Sequence, residues 1–474
     1  MNNAILKDSI NSKRNWGILG VALSAICVLI ILQTNPESTG IFTLAGIIGA
    51  FFAIISMIYP NVWVYTTILL LPAYLISRDS DVNAMEVVVY VYILFGTILW
   101  FMNTFLIKRE RLARNVGDFI LLLFFVFAAI NSIIAYLNDV QMFNWFKQYS
   151  LFGLYTLYFP FRYYVKEKKD LNLFLILLGF SLLVIGAYQL YYYKQVVLLA
   201  TLAYELQGAL RINITILTFG SLLGIYLFLK FKNLALRIFS LLVAIVSTIV
   251  IITSFARTFW ILLLFLYGCY FFLLKKRHKI IALYIGSVSV VAMLFLLVTY
   301  FGNYTVYMKM ISEKFMSTGD GKADPSVMQR IIEYDAVWNA YSKYPISGCG
   351  LAKKFSHRDI LIEGTTRTKD FVHNGYLQLL YNFGPPTALL FVLFLAYYLF
   401  RSMYFLIPSV RKRFHLDSHT VFLSFCGIFI YIVSAGISPQ LVAKESILML
   451  VISILILENE LHSDHQPIKE LKAE

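Results

Sequence analysis

Apolar residues run for about 17–22 positions at a time along most of this chain, and short polar stretches separate the runs. About fourteen such runs can be marked, at roughly 16–32, 41–58, 61–77, 87–106, 117–136, 148–165, 171–192, 212–230, 237–253, 259–274, 280–300, 375–400, 418–435 and 441–457. Each is long enough to cross a bilayer as a helix, since a hydrocarbon layer about 30 Å thick needs about 20 helical residues. Only Pro60-Asn61 divides the second run from the third. The pattern predicts an all-α polytopic membrane protein with about 12–14 transmembrane helices. The first run follows Lys7, Lys13 and Arg14 with no small-residue cleavage site after it, so it reads as a signal anchor.

Charge then orients the spans. With the N-terminus in the cytoplasm, one side collects Lys7, Lys13 and Arg14; Lys108, Arg109, Arg111 and Arg114; Lys166, Lys168 and Lys169; Lys230, Lys232 and Arg237; Lys275, Lys276, Arg277 and Lys279; and Arg401, Arg411, Lys412 and Arg413. The short loops of the other side are poor in Lys and Arg. That asymmetry predicts both termini in the cytoplasm. It also accounts for the net charge of +14 without nucleic acid, which is not expected as a partner. Only 14% of residues are charged and mean hydropathy is +0.74, values far from those of a soluble domain. Three of the four cysteines (Cys27, Cys269 and Cys426) lie inside apolar runs and Cys349 lies in a polar loop, so no disulfide framework is expected.

One long polar segment, residues 301–374, falls on the outer side. Within it, Asp324 and Pro325 can start a helix, and Pro345 and Gly348 stop it. Val327, Ile331, Tyr334, Trp338 and Tyr341 share one face at helical spacing, with Arg330 at its edge. The helix is therefore expected to lie with that stripe against the membrane domain. A basic stretch follows (Lys343, Lys353, Lys354, Arg358, Arg367, Lys369), then "FVHNGYLQLLYNFGPP" as the chain re-enters the apolar phase.

Candidate chemistry gathers at outer span mouths. Arg211, Arg257, Arg330, His373 and Asn374 are far apart in sequence, yet all can reach one extracytoplasmic cavity. Arginines brought together repel unless an anion joins them, and their forked donors suit phosphate oxygens. A lipid diphosphate is the natural membrane anion of that kind. His373 sits before a helix N-terminus, whose free N–H groups favour an anion, and a neutral imidazole there can take a proton from a hydroxyl. Asn374 fits a helix cap, as His373 alone could. A lone interfacial arginine can equally snorkel to headgroups. No carboxylate or histidine cluster has metal-ligand spacing, so no metal and no cofactor is expected.

Residues 205–400 resemble the O-antigen ligase/polymerase family of bacterial membrane proteins. Three features carry the resemblance. His373-Asn374 is followed after nine residues by Gly384 and then Thr387. The stretch from Arg330 through Trp338 to "YPISGCGLAKKF" is similar to the family's arginine helix and its Pro-x-x-Gly-x-Gly turn. "TSFARTFW" is similar to its Ser-Arg turn between two spans, although Phe255-Ala256 intervene before Arg257. Arg211 matches by position at an outer span mouth, and Pro385-Pro386 after Gly384 are a departure.

The resemblance implies a GT-C-like membrane glycosyltransferase working without a metal in the bacterial inner membrane, with its active site on the outer face. The donor would be a glycan on a polyprenyl diphosphate such as undecaprenyl diphosphate. The acceptor would be a glycan, lipid A-core or protein hydroxyl, and membrane lipids would surround the chain. Arg211, Arg257 and Arg330 would hold the diphosphate, His373 with Arg257 and Arg330 would act in catalysis, and Asn374 and Gly384 would support the site. The chain then divides into N-terminal spans (1–204), a ligase/polymerase-like core (205–400, with the loop 301–374), and C-terminal spans and tail (401–474). Two other readings stay open. A lipid-glycan transporter or flippase would place ionisable residues at the midplane of the spans, where few are visible. A non-catalytic scaffold would use the basic loop to hold anionic lipid or polymer.

Overall fold

A computed structural model describes residues 60–76, 84–199, 211–254, 256–274, 325–359 and 365–463, with Lys276, Lys279 and Ile280 between them. The expected spans at 16–32, 41–58 and 280–300, the N-terminal basic residues, Asp324 and the C-terminal tail lie outside the described residues.

In chain order the helices are α1 (Pro60–Leu69), α2 (Leu71–Leu75), α3 (Ala84–Phe101, continued by a π-helical turn Met102–Ile107), α4 (Val116–Leu137), α5 (Met142–Gly153), α6 (Tyr158–Tyr164), α7 (Lys168–Leu199), α8 (Ile214–Lys230), α9 (Leu234–Thr253), α10 (Arg257–Leu273) and α11 (Pro325–Tyr341). Two short strands follow, β1 (Phe355–Arg358) and β2 (Thr366–Lys369), and then α12 (Gly375–Leu406), α13 (Pro408–Arg413), α14 (Ser418–Ala435) and α15 (Lys444–Ser463). Among the described residues, six helical stretches are long and apolar enough to span a bilayer: Glu86–Ile107, Val116–Leu137, Lys168–Tyr193, Leu234–Thr253, Gly375–Leu406 and Ser418–Ala435. Ile214–Lys230 and Arg257–Leu273 are shorter apolar helices. The chain is an all-α polytopic membrane protein; among the described residues the one sheet is a small antiparallel hairpin, which pairs Phe355 with Lys369 and Arg358 with Thr366.

The chain forms two compact units. The first takes in described parts of residues 1–110 and 159–185. The run at 61–77 is not one helix there but two, broken at Leu70. Pro72 cannot donate to the carbonyl of Ile68, and the Ser181 hydroxyl donates to that oxygen instead, at 2.7 Å. Trp63 is buried against Phe161, and the Phe161 ring meets Phe174. A Cβ at Gly96 would collide with the Trp63 indole, so glycine lets α1 and α3 approach.

The second unit takes in residues 111–158 and described parts of 186–474. Its α15 is buried on every side from Ile447 to Leu457, as a helix apolar all round should be. Phe124, Phe152, Phe383 and Phe391 form an aromatic cluster where α4, α5 and α12 meet. At one end of this unit an Asn115–Asp118 capping box starts α4, and Tyr398 donates to Asp118 at 3.2 Å. Arg401 pairs there with the buried Glu458.

The loop helix α11 departs from its expected phase. The stripe expected to face the membrane domain is partly exposed: Val327, Ile331 and Trp338 are all on the surface. Tyr341 of that stripe is buried and Tyr334 packs against its cluster, but the inward face also carries Glu333 and Val337. Val337 and Tyr341 pack with Cys349, Phe355, Val372 and Tyr381, that is, against β1 and α12. The periodicity is helical, but a carboxylate occupies an inward position that hydrophobicity alone assigns to the outside.

Candidate functional site

The site is built where α11, the hairpin and the start of α12 meet. Asn374 caps α12: its side chain accepts from the Leu377 N–H at 3.1 Å. Three turns later the helix kinks at Gly384, whose φ of +71° few other residues adopt without strain. Pro385 and Pro386 follow and have no N–H for the carbonyls of Tyr381 and Asn382. Both oxygens find donors on the 346–351 turn. Cys349 N–H donates to Tyr381 at 2.6 Å and Gly350 N–H to Asn382 at 3.0 Å. Asn131 of α4 donates to the same Asn382 oxygen at 2.9 Å and accepts from Leu351 N–H at 2.9 Å. Asn138 donates to the Cys349 carbonyl at 2.8 Å. The proline pair therefore creates two acceptors, and the Gly-x-Gly turn supplies their donors. Glycine is needed on both sides of this contact: a Cβ on Gly348 would lie 2.5 Å from the Gly384 nitrogen, and one on Gly384 would strike the Ile346 carbonyl.

His373 stands immediately before that cap. Its Nδ1 lies 2.8 and 3.0 Å from the two carboxylate oxygens of Glu333, and its backbone N–H donates to the same carboxylate at 2.7 Å. Tyr334 donates to the His373 carbonyl at 3.3 Å. Lys369 from β2 reaches Glu333 at 3.1 Å, and His357 from β1 turns Nε2 toward it at 3.9 Å. The Glu333 side chain is 1% exposed and that of His373 is 33% exposed, so the histidine is the member of the pair that a solute can reach. Burial works to raise the Glu333 pKa, but the ring, backbone and charge of His373, with Lys369, outweigh it and hold the carboxyl at about 2. An ionised carboxylate only accepts, so Nδ1 of His373 carries the proton. Among the described residues, Nε2 of His373 has no hydrogen-bond partner.

The three arginines come from three segments. Arg330 is half-buried on α11, one turn before Glu333 and Tyr334. Arg257 begins α10, directly after a tight turn in which Ser254 ends α9 and accepts from Ala256 N–H at 3.3 Å. Arg211 precedes α8, whose cap Asn213 has a left-handed φ of 59°. Burial, then the charges of Arg330 and Arg257, depress the Arg211 pKa. Those two guanidiniums thus lie within electrostatic reach of Arg211, and Arg330 likewise acts on Tyr334.

Sequence reasoning missed Glu333 and the hairpin. Glu333 carried one usable signal: it lies one helical turn from Arg330, on the side toward Val337. The basic loop was visible, but not that Lys369 folds back onto a carboxylate. Among the described residues no group of three His, Cys, Asp or Glu side chains is placed to hold a metal ion.

No curated protein matches the chain as a relative. The O-antigen ligase family model matches residues 242–392. That stretch contains Arg257, Arg330, Glu333, His373, Asn374 and Gly384, and leaves Arg211 outside it. Over this stretch, about a third of its length, the chain is similar to the O-antigen ligase family.

Proposed function

We propose that the protein transfers a glycan from a polyprenyl-diphosphate carrier to an acceptor hydroxyl at the outer face of the bacterial cytoplasmic membrane. The core at 205–400 does this work, and both termini stay in the cytoplasm. The observation that supports the reading is that Arg257 and Arg330 lie within electrostatic reach of Arg211, and that Arg330 stands one turn before Glu333, which holds His373. Like unit charges about 4 Å apart repel by about 4 kcal/mol at an effective dielectric of about 20, so guanidiniums that feel one another call for an anion. A diphosphate supplies it, and the planar forks of arginine match its oxygens.

In the reaction the bond from the sugar's anomeric carbon to the diphosphate oxygen breaks, and the electron pair leaves on the diphosphate. The acceptor oxygen bonds to that carbon, and its proton passes to Nε2 of His373. The arginines act where charge grows, on the leaving diphosphate. Helix α11 brings Arg330 and the Glu333-held histidine into one frame, which aligns donor and acceptor.

Purified protein in liposomes, given a lipid-linked glycan and an acceptor, is the direct test. A new glycosidic product supports the reading. Movement of the lipid-linked glycan across the bilayer without product would replace it with transport. The acceptor is read from a gene deletion on a glycan ladder. Loss of chain length with one unit still attached marks a polymerase, and loss of all attachment marks a ligase.

A further inference from the structure

We infer that Glu333 is the positioning residue of the transferase site: it fixes the ring of His373 in the tautomer that leaves Nε2 free to accept the acceptor's proton. The inference rests on the proposed transferase reading and adds to it a residue and a function for the hairpin.

The geometry is specific to one residue. A single carboxylate takes both the backbone N–H and the Nδ1–H of His373, at 2.7 Å and 2.8–3.0 Å. The first contact sets where the residue sits. The second sets how its ring turns and which nitrogen carries the proton. Nδ1 faces the buried carboxylate, and a third of the His373 side chain stays open. A buried carboxylate is poor economy for stability, since removing an ion from water costs several kcal/mol and apolar packing commonly does as well. Glu333 nevertheless lies wholly inside, on a helix whose apolar Val327, Ile331 and Trp338 are on the surface.

The groups that face this pair fit the same task. Lys369 from β2, at 3.1 Å, balances the carboxylate charge. His357 from β1 approaches at 3.9 Å, too far to compete with His373 for the oxygen. Arg330 precedes Glu333 by one turn on α11, and Tyr334 donates to the His373 carbonyl. Gln329 meets the far side of His357, 3.0 Å from Nδ1. The hairpin is thus a clamp on the carboxylate. During transfer the acceptor's O–H bond breaks as its oxygen joins the anomeric carbon, the proton goes to Nε2, and the diphosphate leaves with the electron pair. Glu333 bonds to Nδ1–H throughout and exchanges no proton.

The test has two arms. In the first, the full-length protein is labelled with ¹⁵N-histidine, and the His373 signals are assigned by their loss in H373A. The wild-type protein at neutral pH is expected to show protonated Nδ1 and bare Nε2. Protonated Nε2 with bare Nδ1 would overturn the proposal without any variant at Glu333. In the second arm, Glu333→Gln and Glu333→Asp are assayed in liposomes. A glutamine can still accept from the His373 backbone N–H, but its amide can donate to Nδ1 and so favours the wrong tautomer. We expect kcat in E333Q to fall at least about 100-fold, with the donor KM within about twofold, and partial rescue in E333D. A folded E333Q with unchanged kcat would overturn the proposal. H373A separates the two failures: if H373A is inactive while E333Q is fully active, only the role of Glu333 falls, and if H373A is fully active, His373's part in the transferase reading falls first.

Discussion

The backbone N–H of Cys349 donates to the carbonyl oxygen of Tyr381 at 2.6 Å, and the helical partner that oxygen lacks is residue 385, a proline. The same holds one residue on, for Gly350 and Asn382 opposite Pro386. A kink that would leave two buried acceptors unmet is thereby turned into the anchor of the loop, because an unpaired buried carbonyl costs about 1–3 kcal/mol. The anchor fixes the distance along α12 from His373 to the loop's attachment point.

That junction tolerates no side chain on either glycine. Gly348→Ala and Gly384→Ala are each expected to lower stability by about 1–3 kcal/mol, since both put a Cβ into backbone at positive φ. Thermal unfolding in detergent measures this. Because both changes strain the same contact, the double variant should cost less than the sum. Additive losses would mean the two glycines act separately.

Asn131 and Asn138 test the α4 side of the anchor. Asn131→Ala leaves both the Leu351 N–H and part of the Asn382 demand unmet, whereas Asn138→Ala removes the donor to Cys349. The expected order of destabilisation is Asn131 above Asn138, each on the order of 1–3 kcal/mol. Limited proteolysis between residues 341 and 374 should report it, with cleavage fastest in N131A.

The carboxylate clasp makes the loop sensitive to acid. The Glu333 carboxyl titrates at about 2 against an ordinary 4.5. A depressed pKa stabilises the fold above the unfolded value, and that contribution is lost as pH falls from about 4.5 toward 2. Hydrogen exchange at the His373 amide, which donates to Glu333, should therefore accelerate over that window in the wild type. In E333Q the same amide should show no such step. A step of equal size in E333Q would assign the acid sensitivity elsewhere.

Much of this was legible in the sequence, and the limits have physical causes. The spans declare themselves because a bilayer demands about 20 apolar residues whatever they later touch. Arg211, Arg257, Arg330 and His373 stand out because charge at a span mouth is costly and calls for a reason. Asn374 reads as a cap from its place before an apolar run. Glu333 does not stand out, since a glutamate on a loop helix normally faces water. Only its partners in β2 and at His373, some 36 and 40 residues downstream, make its burial tolerable. The phase of α11 is shifted for the same reason: Tyr334 and Tyr341 turn inward as the stripe predicts, but a satisfied carboxylate with Val337 leaves Val327, Ile331 and Trp338 on the surface. The Pro385-Pro386 pair reads as a break, but not as the site where a loop 35 residues upstream would dock.

The arginines should differ from lysines in kind. Arg330→Lys keeps the charge but loses the planar fork, and a diphosphate held by two parallel donors would feel that loss. Transfer by R330K is expected to fall about 10-fold or more, and R330A further, by about 100-fold or more. Full activity in R330K would reduce Arg330 to a source of general positive potential.

The central claim is that the arginines hold the donor's diphosphate while His373 takes the acceptor's proton. It is tested most directly by measuring, in one liposome preparation, both donor binding and glycan transfer for the wild type, R330A and H373A. The account predicts that H373A binds the lipid-linked donor within about twofold of wild type and transfers at least about 100-fold more slowly, whereas R330A loses both. Wild-type transfer rates in H373A and R330A would contradict it.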